Sequence, residues 1–239
     1  MGANTFLDQM LKTGAGAWAE AQAATARARA SGDLDKYAKG AAVGGLLGLL
    51  LGTRRGRAIG GSALKLGSVA AIGALAWKAY QDHQAAQQGR AAAGTKAEPA
   101  SLAPAPAIAA PARFEALPAP QLEQHSRAML KAMIAAAKSD GHMDEREQGL
   151  VQAELARLQA DPEMRVWVEA ELRRPVDPAE VAGAATTPEM AAEVYLASLL
   201  VVDETTTMER AYLDELGRAL KLAPGLKADL EARAAAARG

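Results

Sequence analysis

Two short acidic runs are the residues of this chain best suited to chemistry. Asp140-Gly141-His142-Met143-Asp144-Glu145-Arg146-Glu147 follows one apolar helical pattern, and Asp203-Glu204-Thr205-Thr206-Thr207-Met208-Glu209 follows another 63 residues later. Clustered Asp and Glu supply the oxygen ligands that hard cations such as Ca²⁺ or Mg²⁺ take. If the helices around them pair as pseudo-symmetric hairpins, the two runs converge their carboxylates. The first run is not an EF-hand loop, which needs an acidic or amide side chain at its third position, where His142 stands. The same side chains also read as helix caps: Asp144 with Glu147 and Thr206 with Glu209 have capping-box spacing, and Gly141 suits a left-handed helix end. Capping alone and capping combined with a bound cation both stay open at this level.

Other chemistry has less support. His83, His125 and His142 are the only histidines, and none has a nucleophile or paired carboxylate at a catalytic spacing, so all three read as solvated surface side chains. There is no Cys, which excludes disulfides, thiolate nucleophiles and cysteine-ligated metal centres. No phosphate-binding glycine loop is present. Trp167, Tyr195 and Tyr212 fall at helical spacing among aliphatic residues and are expected in the core. Nothing here reads as an enzyme.

The elements that would position the acidic runs are all helical. Leu122, Met129, Leu130, Met133, Ile134 and Ala137 share one helical face ending near Ser139, and a second helix from Asp144 carries Leu150, Val151, Leu155 and Leu158. Asp161-Pro162-Glu163, Asp177-Pro178-Ala179-Glu180 and Thr187-Pro188-Glu189 are helix-start signals, as is Thr206 to Glu209, and a last helix follows Pro224. No segment alternates with period two. Residues 121–239 are therefore expected to form an all-α bundle of about seven helices.

The first half of the chain is different. Gly40, Gly44, Gly48, Gly52, Gly56 and Gly60 recur at a spacing of four, which stacks them along one helical face. Each mid-helix Gly costs about 1 kcal/mol relative to Ala in water. In lipid, small residues instead let helix backbones approach closely. The ladder thus points to membrane packing, with lipid and a second copy of the chain as expected partners. Residues 41–53 are uncharged but cover only about 20 Å as a helix. Residues 58–77 are long enough for one span, with Trp77, Lys78 and Tyr80 as interfacial anchors. A helical hairpin, a single span and a monotopic insertion are the membrane forms weighed, against a soluble buried hairpin. Basic residues flank both stretches, so the positive-inside rule casts no clean vote.

Ahead of the ladder, Phe6, Leu7, Met10 and Leu11 have amphipathic helical spacing, and an Ala-rich helix is expected near residues 15–30. Residues 86–120 hold six of the eleven prolines and read as an extended, semi-rigid tether. The expected divisions are thus 1–35, an Ala-rich helical segment; 36–85, the membrane-associated ladder; 86–120, the linker; and 121–239, the bundle. Charge divides at the same joint: residues 1–118 carry 13 Lys and Arg against 7 Asp and Glu, and the remainder 14 against 21. The basic half suits an anionic lipid surface, and the acidic half argues against nucleic acid as its ligand. Because 60 of the 239 residues are Ala and aromatics are few, thin helical packings are expected in place of one large core.

Ala-Ala-Lys-Ser-Asp-Gly-His-Met-Asp-Glu-Arg-Glu at 136–147, with Val-Val-Asp-Glu and then Met-Glu-Arg-Ala-Tyr-Leu-Asp-Glu-Leu within 201–216, resembles the TerB-like helical domain. The subgroup most similar is that of YebE-type bacterial inner-membrane proteins, whose N-terminal region the Gly-rich segment and Ala76-Trp77-Lys78-Ala79-Tyr80 also resemble. The resemblance implies an inner-membrane protein with its bundle on the cytoplasmic side, linked by name to tellurite resistance. It also implies a divalent-cation site at the two turns, carried by position onto Asp140, Asp144, Glu147, Asp203 and Glu209. The second turn departs from the first: it has Asp203-Glu204 where the first has Asp-Gly, and Glu209 lies six residues from Asp203 against seven between Asp140 and Glu147. The expected function is a non-enzymatic, membrane-anchored protein binding a divalent cation or a protein partner. A homo-oligomeric membrane scaffold without a metal site is the alternative.

Overall fold

The computed structural model describes residues 2–12, 69–94, 116–139, 151–152, 155–156, 159–202 and 206–238. The regular elements among them are all helices: α1 (residues 3–12), α2 (Val69–Gly94), α3 (Ala119–Ala137), α4 (Pro162–Arg173), α5 (Pro178–Ala182), α6 (Pro188–Leu199), α7 (Thr207–Ala219) and α8 (Pro224–Arg238). Residues 151–152 and 155–156 are also helical, and Val151 and Leu155 are fully buried, as their spacing predicts.

The helix starts follow the local chemistry. Asp161 accepts a hydrogen bond from the Met164 N–H at 2.8 Å, Asp177 from Ala179 at 2.8 Å and Thr187 from Met190 at 3.2 Å. In all three the first helical residue is Pro, whose missing N–H would have had no helical partner there. Each cap satisfies a donor that the helix geometry orphans.

At the centre lies α6, packed against α2, α3, α7 and α8. Every residue from Met190 to Val202 is buried, because this stretch has no polar face: Glu193 and Ser198 are its only polar side chains besides the Tyr195 hydroxyl. A helix apolar all round is stable only when surrounded. Ala191, Ala192 and Ala197 leave room for close neighbours, and full burial of Leu196 or Leu199 contributes about 1.5–3 kcal/mol each.

Several expectations change here. The buried residues of α1, α2 and the C-terminal helices form one continuous core, so the thin separate packings expected from the Ala content are not found. Small residues at facing positions let many helices share one core, which composition does not reveal. The second apolar stretch, expected to cross lipid over 58–77, is packed against protein from Val69 onward. Val69, Ile72, Ala76 and Ala79 are fully or almost fully buried, and α2 lies on α6 and α8. Trp77 and Tyr80, expected as interfacial anchors, are half-buried with ring centroids 6.5 Å apart, and Lys78 reaches Asp82 at 3.6 Å. No helix of the described residues is long and apolar enough to cross a membrane. Within the stretch expected as a tether, 86–120, residues 86–94 belong to α2 and residues 119–120 to α3, and residues 95–115 lie outside the described residues. Pro118 and Pro120 serve as the N-cap and first-turn residues of α3, a position proline tolerates. The Gly40–Gly60 ladder and residues 15–30 lie outside the described residues.

The N-terminal helix joins the same body. Ala3, Phe6, Leu7 and Met10 are fully buried, and the Glu123 carboxylate of α3 accepts the Ala3 N–H at 2.7 Å and the Asn4 N–H at 3.2 Å. Glu123 is therefore a cap supplied from another helix. Burial pushes its carboxyl up, but the two N–H groups and Arg127 outweigh that and hold it below the ordinary range. Arg127 continues the link to Glu163 at 3.0 Å and stacks over Trp167, 5.8 Å from the ring centroid.

Candidate functional site

Of the five acidic residues proposed as ligands, Glu209 is described; Asp140, Asp144, Glu147 and Asp203 lie outside the described residues, and so does any convergence of the two turns. Glu209 is buried at the head of α7 in a complete capping box. Its Oε2 accepts the Thr206 N–H at 3.0 Å, and Thr206 Oγ1 accepts the Glu209 N–H at 3.1 Å. The capping reading of Thr206 and Glu209 therefore holds, and a carboxylate at a helix N-terminus is favoured by the helix dipole. Ser139 and Val202, the last described residues before Asp140 and Asp203, are buried. Among the described residues, no three His, Asp or Glu gather as metal ligands. Thr206→Ala is expected to cost about 1 kcal/mol in urea unfolding, whereas Thr206→Ser should stay near wild type because it keeps the accepting oxygen.

A second likeness, at an offset of 62 residues, appears in the backbone. Gln159, just beyond the helical residues 155–156, and Lys221, just beyond α7, both have left-handed φ, 53° and 55°. The closing bonds match: Ala160 N–H to the Leu155 carbonyl at 3.0 Å, and Leu222 N–H to the Gly217 carbonyl at 3.1 Å. Such a six-to-one bond is that of a Schellman helix end. Three residues after each left-handed residue comes a helix-opening proline, Pro162 of α4 and Pro224 of α8. Left-handed stop and Pro-led helix thus occur twice in the same order.

A buried pair that sequence reading missed joins α3 to α6. His125 is 8% exposed and its Nδ1 lies 2.6 Å from Glu193 Oε2, so the expectation of a solvated His125 is incorrect. The contact is possible because His125 sits on the buried face of α3, between Leu122 and Met129. Burial pushes the Glu193 carboxyl above its usual range, Glu189 adds to this, and His125 opposes it. The available signal was Glu193, the one acid in the otherwise apolar stretch from Met190 to Val202, which requires a partner when buried.

Elsewhere the polar groups tie helices together. Tyr195 donates to Glu231 at 2.8 Å, and Lys227 donates to Glu231 at 2.8 Å and Asp214 at 3.0 Å, linking α6, α7 and α8. Tyr195 and Tyr212 are core residues as expected. The Tyr212 hydroxyl is buried near Ser198, and burial pushes it far above its usual range against the opposing effect of the Ser198 side chain. A shallow cleft between α3, α4 and α5 is lined by Lys131, Lys138, Arg174 and Glu180. Its charges are mutually engaged: Lys131 and Arg174 both bond Glu180, and Lys138 donates to the carbonyls of Glu171, at 3.0 Å, and Arg174. Burial lowers the Lys138 ammonium against the opposing pull of Glu171.

Comparison with known proteins gives one family and one distant relative. Residues 36–234 match the family described as "Protein of unknown function (DUF533)". The "Uncharacterized protein in ampR 5'region" of Yersinia enterocolitica is 29% identical over 110 residues, 46% of this chain and 79% of the relative. No solved structure matches.

Proposed function

The chain belongs to the DUF533 family, a TerB-like family, and from that premise we propose that it is a membrane-anchored, non-enzymatic protein of the YebE type. In this reading it sits at the bacterial inner membrane, where the glycine ladder engages lipid. The bundle presents its two acidic turns to a divalent cation, in a role tied to tellurite or related stress. The observation that carries the proposal is the extent of the family match. It begins at residue 36, just ahead of Gly40, and ends at residue 234 within α8, so ladder and bundle belong to one family unit. The oxygen-rich runs are the donor type that Ca²⁺ and Mg²⁺ take, and their recurrence after 63 residues of sequence supports a paired site.

Because α1 and α2 are part of the bundle, the sample to test is the full chain in detergent. A ligand at one hundred times its dissociation constant stabilises the state it binds by about 2.7 kcal/mol. Thermal unfolding after chelation should therefore shift upward on adding Ca²⁺ or Mg²⁺. The shift should vanish in Asp140→Asn/Asp203→Asn. An unchanged melting temperature with Ca²⁺, Mg²⁺ and Mn²⁺ removes the cation from the proposal.

A further inference from the structure

α1 is held to the body by contacts that a second copy of the chain would offer identically. Its ten residues, 3–12, bury one face, with Phe6, Leu7 and Met10 fully enclosed, and leave Thr5, Gln9 and Lys12 exposed. The polar contacts are to α3. Glu123 accepts the Ala3 and Asn4 N–H groups at 2.7 and 3.2 Å, and Ser126 Oγ donates to Asn4 Oδ1 at 3.2 Å. Arg127 donates to Glu123 Oε1 at 3.1 Å and holds that carboxylate in place. Glycine at position 2 eases the closure, because a Cβ there would come within 2.5 Å of Glu123 Oε2. The surface thus recognises an amphipathic helix by its apolar stripe and by its two leading N–H groups.

Two features make α1 separable from the surface it fills. An isolated helix shorter than about 12–15 residues is marginal in water, so α1 is helical because it is docked. Its partners on α3 also lie 119–122 residues away in sequence. Residues 13–68, 56 in number, separate Lys12 from Val69, where α2 rejoins the body. That length reaches at most about 190 Å, which brings a neighbouring body within range as well as the chain's own. The effective concentration of a tethered element falls as roughly the −3/2 power of the connecting length, so a long connection weakens the advantage of the chain's own α1 over a neighbour's. When two copies trade helices, the second docking occurs within the pair, and both surfaces are filled by the contacts each copy makes alone.

We propose that the α3 surface is an exchange site whose occupant is α1 of a second copy of this chain. The pair is two-fold symmetric. Phe6, Leu7 and Met10 of each copy complete the other's core, and Glu123 of each copy caps the other's α1. Neither lipid nor a cation takes part in the exchange.

The chain has no Cys, so two introduced thiols report the pairing without background. Asn4→Cys is placed in one full-length chain, and Ser126→Cys in another that carries an affinity tag to change its mass. The two are purified in detergent, mixed, given time to exchange and oxidised. Exchange predicts a disulfide between tagged and untagged chains, seen at their summed mass on non-reducing electrophoresis and verified by mass spectrometry of the joined peptides. The double variant Asn4→Cys/Ser126→Cys in a single chain is the reference for own-chain docking. If it links within single chains while the separate variants stay unlinked to each other, the exchange site is overturned. Should neither sample link, light scattering of the unaltered chain decides. A mass of two chains that falls to one in Phe6→Glu supports exchange. A mass of one chain, or of two chains that Phe6→Glu leaves unchanged, overturns it.

Discussion

Replacing His125 with alanine should destabilise the bundle by about 3–5 kcal/mol at neutral pH, because it strands the Glu193 carboxylate in the core. The pH dependence of the loss identifies the cause. Burial and Glu189 already raise the Glu193 carboxyl in the folded chain, with His125 opposing them. Without His125 the folded-state value rises further above the unfolded one. A group raised in this way contributes stability below its unfolded pKa and loses it as pH climbs through the folded value. The deficit of His125→Ala relative to wild type should therefore be smaller at pH 5 than at pH 8. Urea titrations at the two pH values measure it. A deficit that stays constant or shrinks toward pH 8 would show that lost packing, not a stranded charge, is responsible. His125→Leu/Glu193→Leu should recover much of the loss, since replacing both partners of a buried pair by apolar groups is often close to neutral.

Phe6→Ala is the second large effect expected, about 3–5 kcal/mol, because the ring is fully buried between α1 and the remainder of the core. For a chain of this size that is a fall of roughly 6–20 °C in melting temperature. The decisive feature is which transition moves. If α1 belongs to the common core, the whole helical signal shifts as one cooperative step. Should far-UV circular dichroism show an early loss of about one short helix with the main transition unmoved, α1 is an independent flap.

What was legible beforehand follows from how local each signal is. Asp161, Asp177, Thr187 and Thr206 cap the helices they announce because a cap is decided within four residues of chain, and the α3 face from Met129 to Ile134 is buried because its spacing leaves one apolar side. The fate of Val69 to Ala79 was not legible. An Ala- and Ile-bearing face reads alike whether lipid or protein covers it, and what decides is α6, a helix more than a hundred residues downstream with no polar face to offer water. His125 and Glu193 were hidden for the same reason, being 68 residues apart. Gln159 and Lys221 escaped notice because left-handed helix ends are read from Gly, and neither is Gly. At the acidic turns Glu209 lies where the capping pattern put it, while its four companions lie beyond the described residues.

The doubled order of left-handed stop and Pro-led helix also bears on how the chain is made. During synthesis the half that ends in α4 leaves the ribosome before α6 exists, so the face of α3 carrying Met129, Met133 and Ile134 has nothing to close over it. A nascent neighbour already presenting α6 offers the same surface, and exchange of equivalent elements between copies is a characteristic failure of repeated architectures. The caps at Asp161, Asp177 and Thr187 are complete within four residues of chain, so the starts of α4, α5 and α6 are specified locally as each emerges.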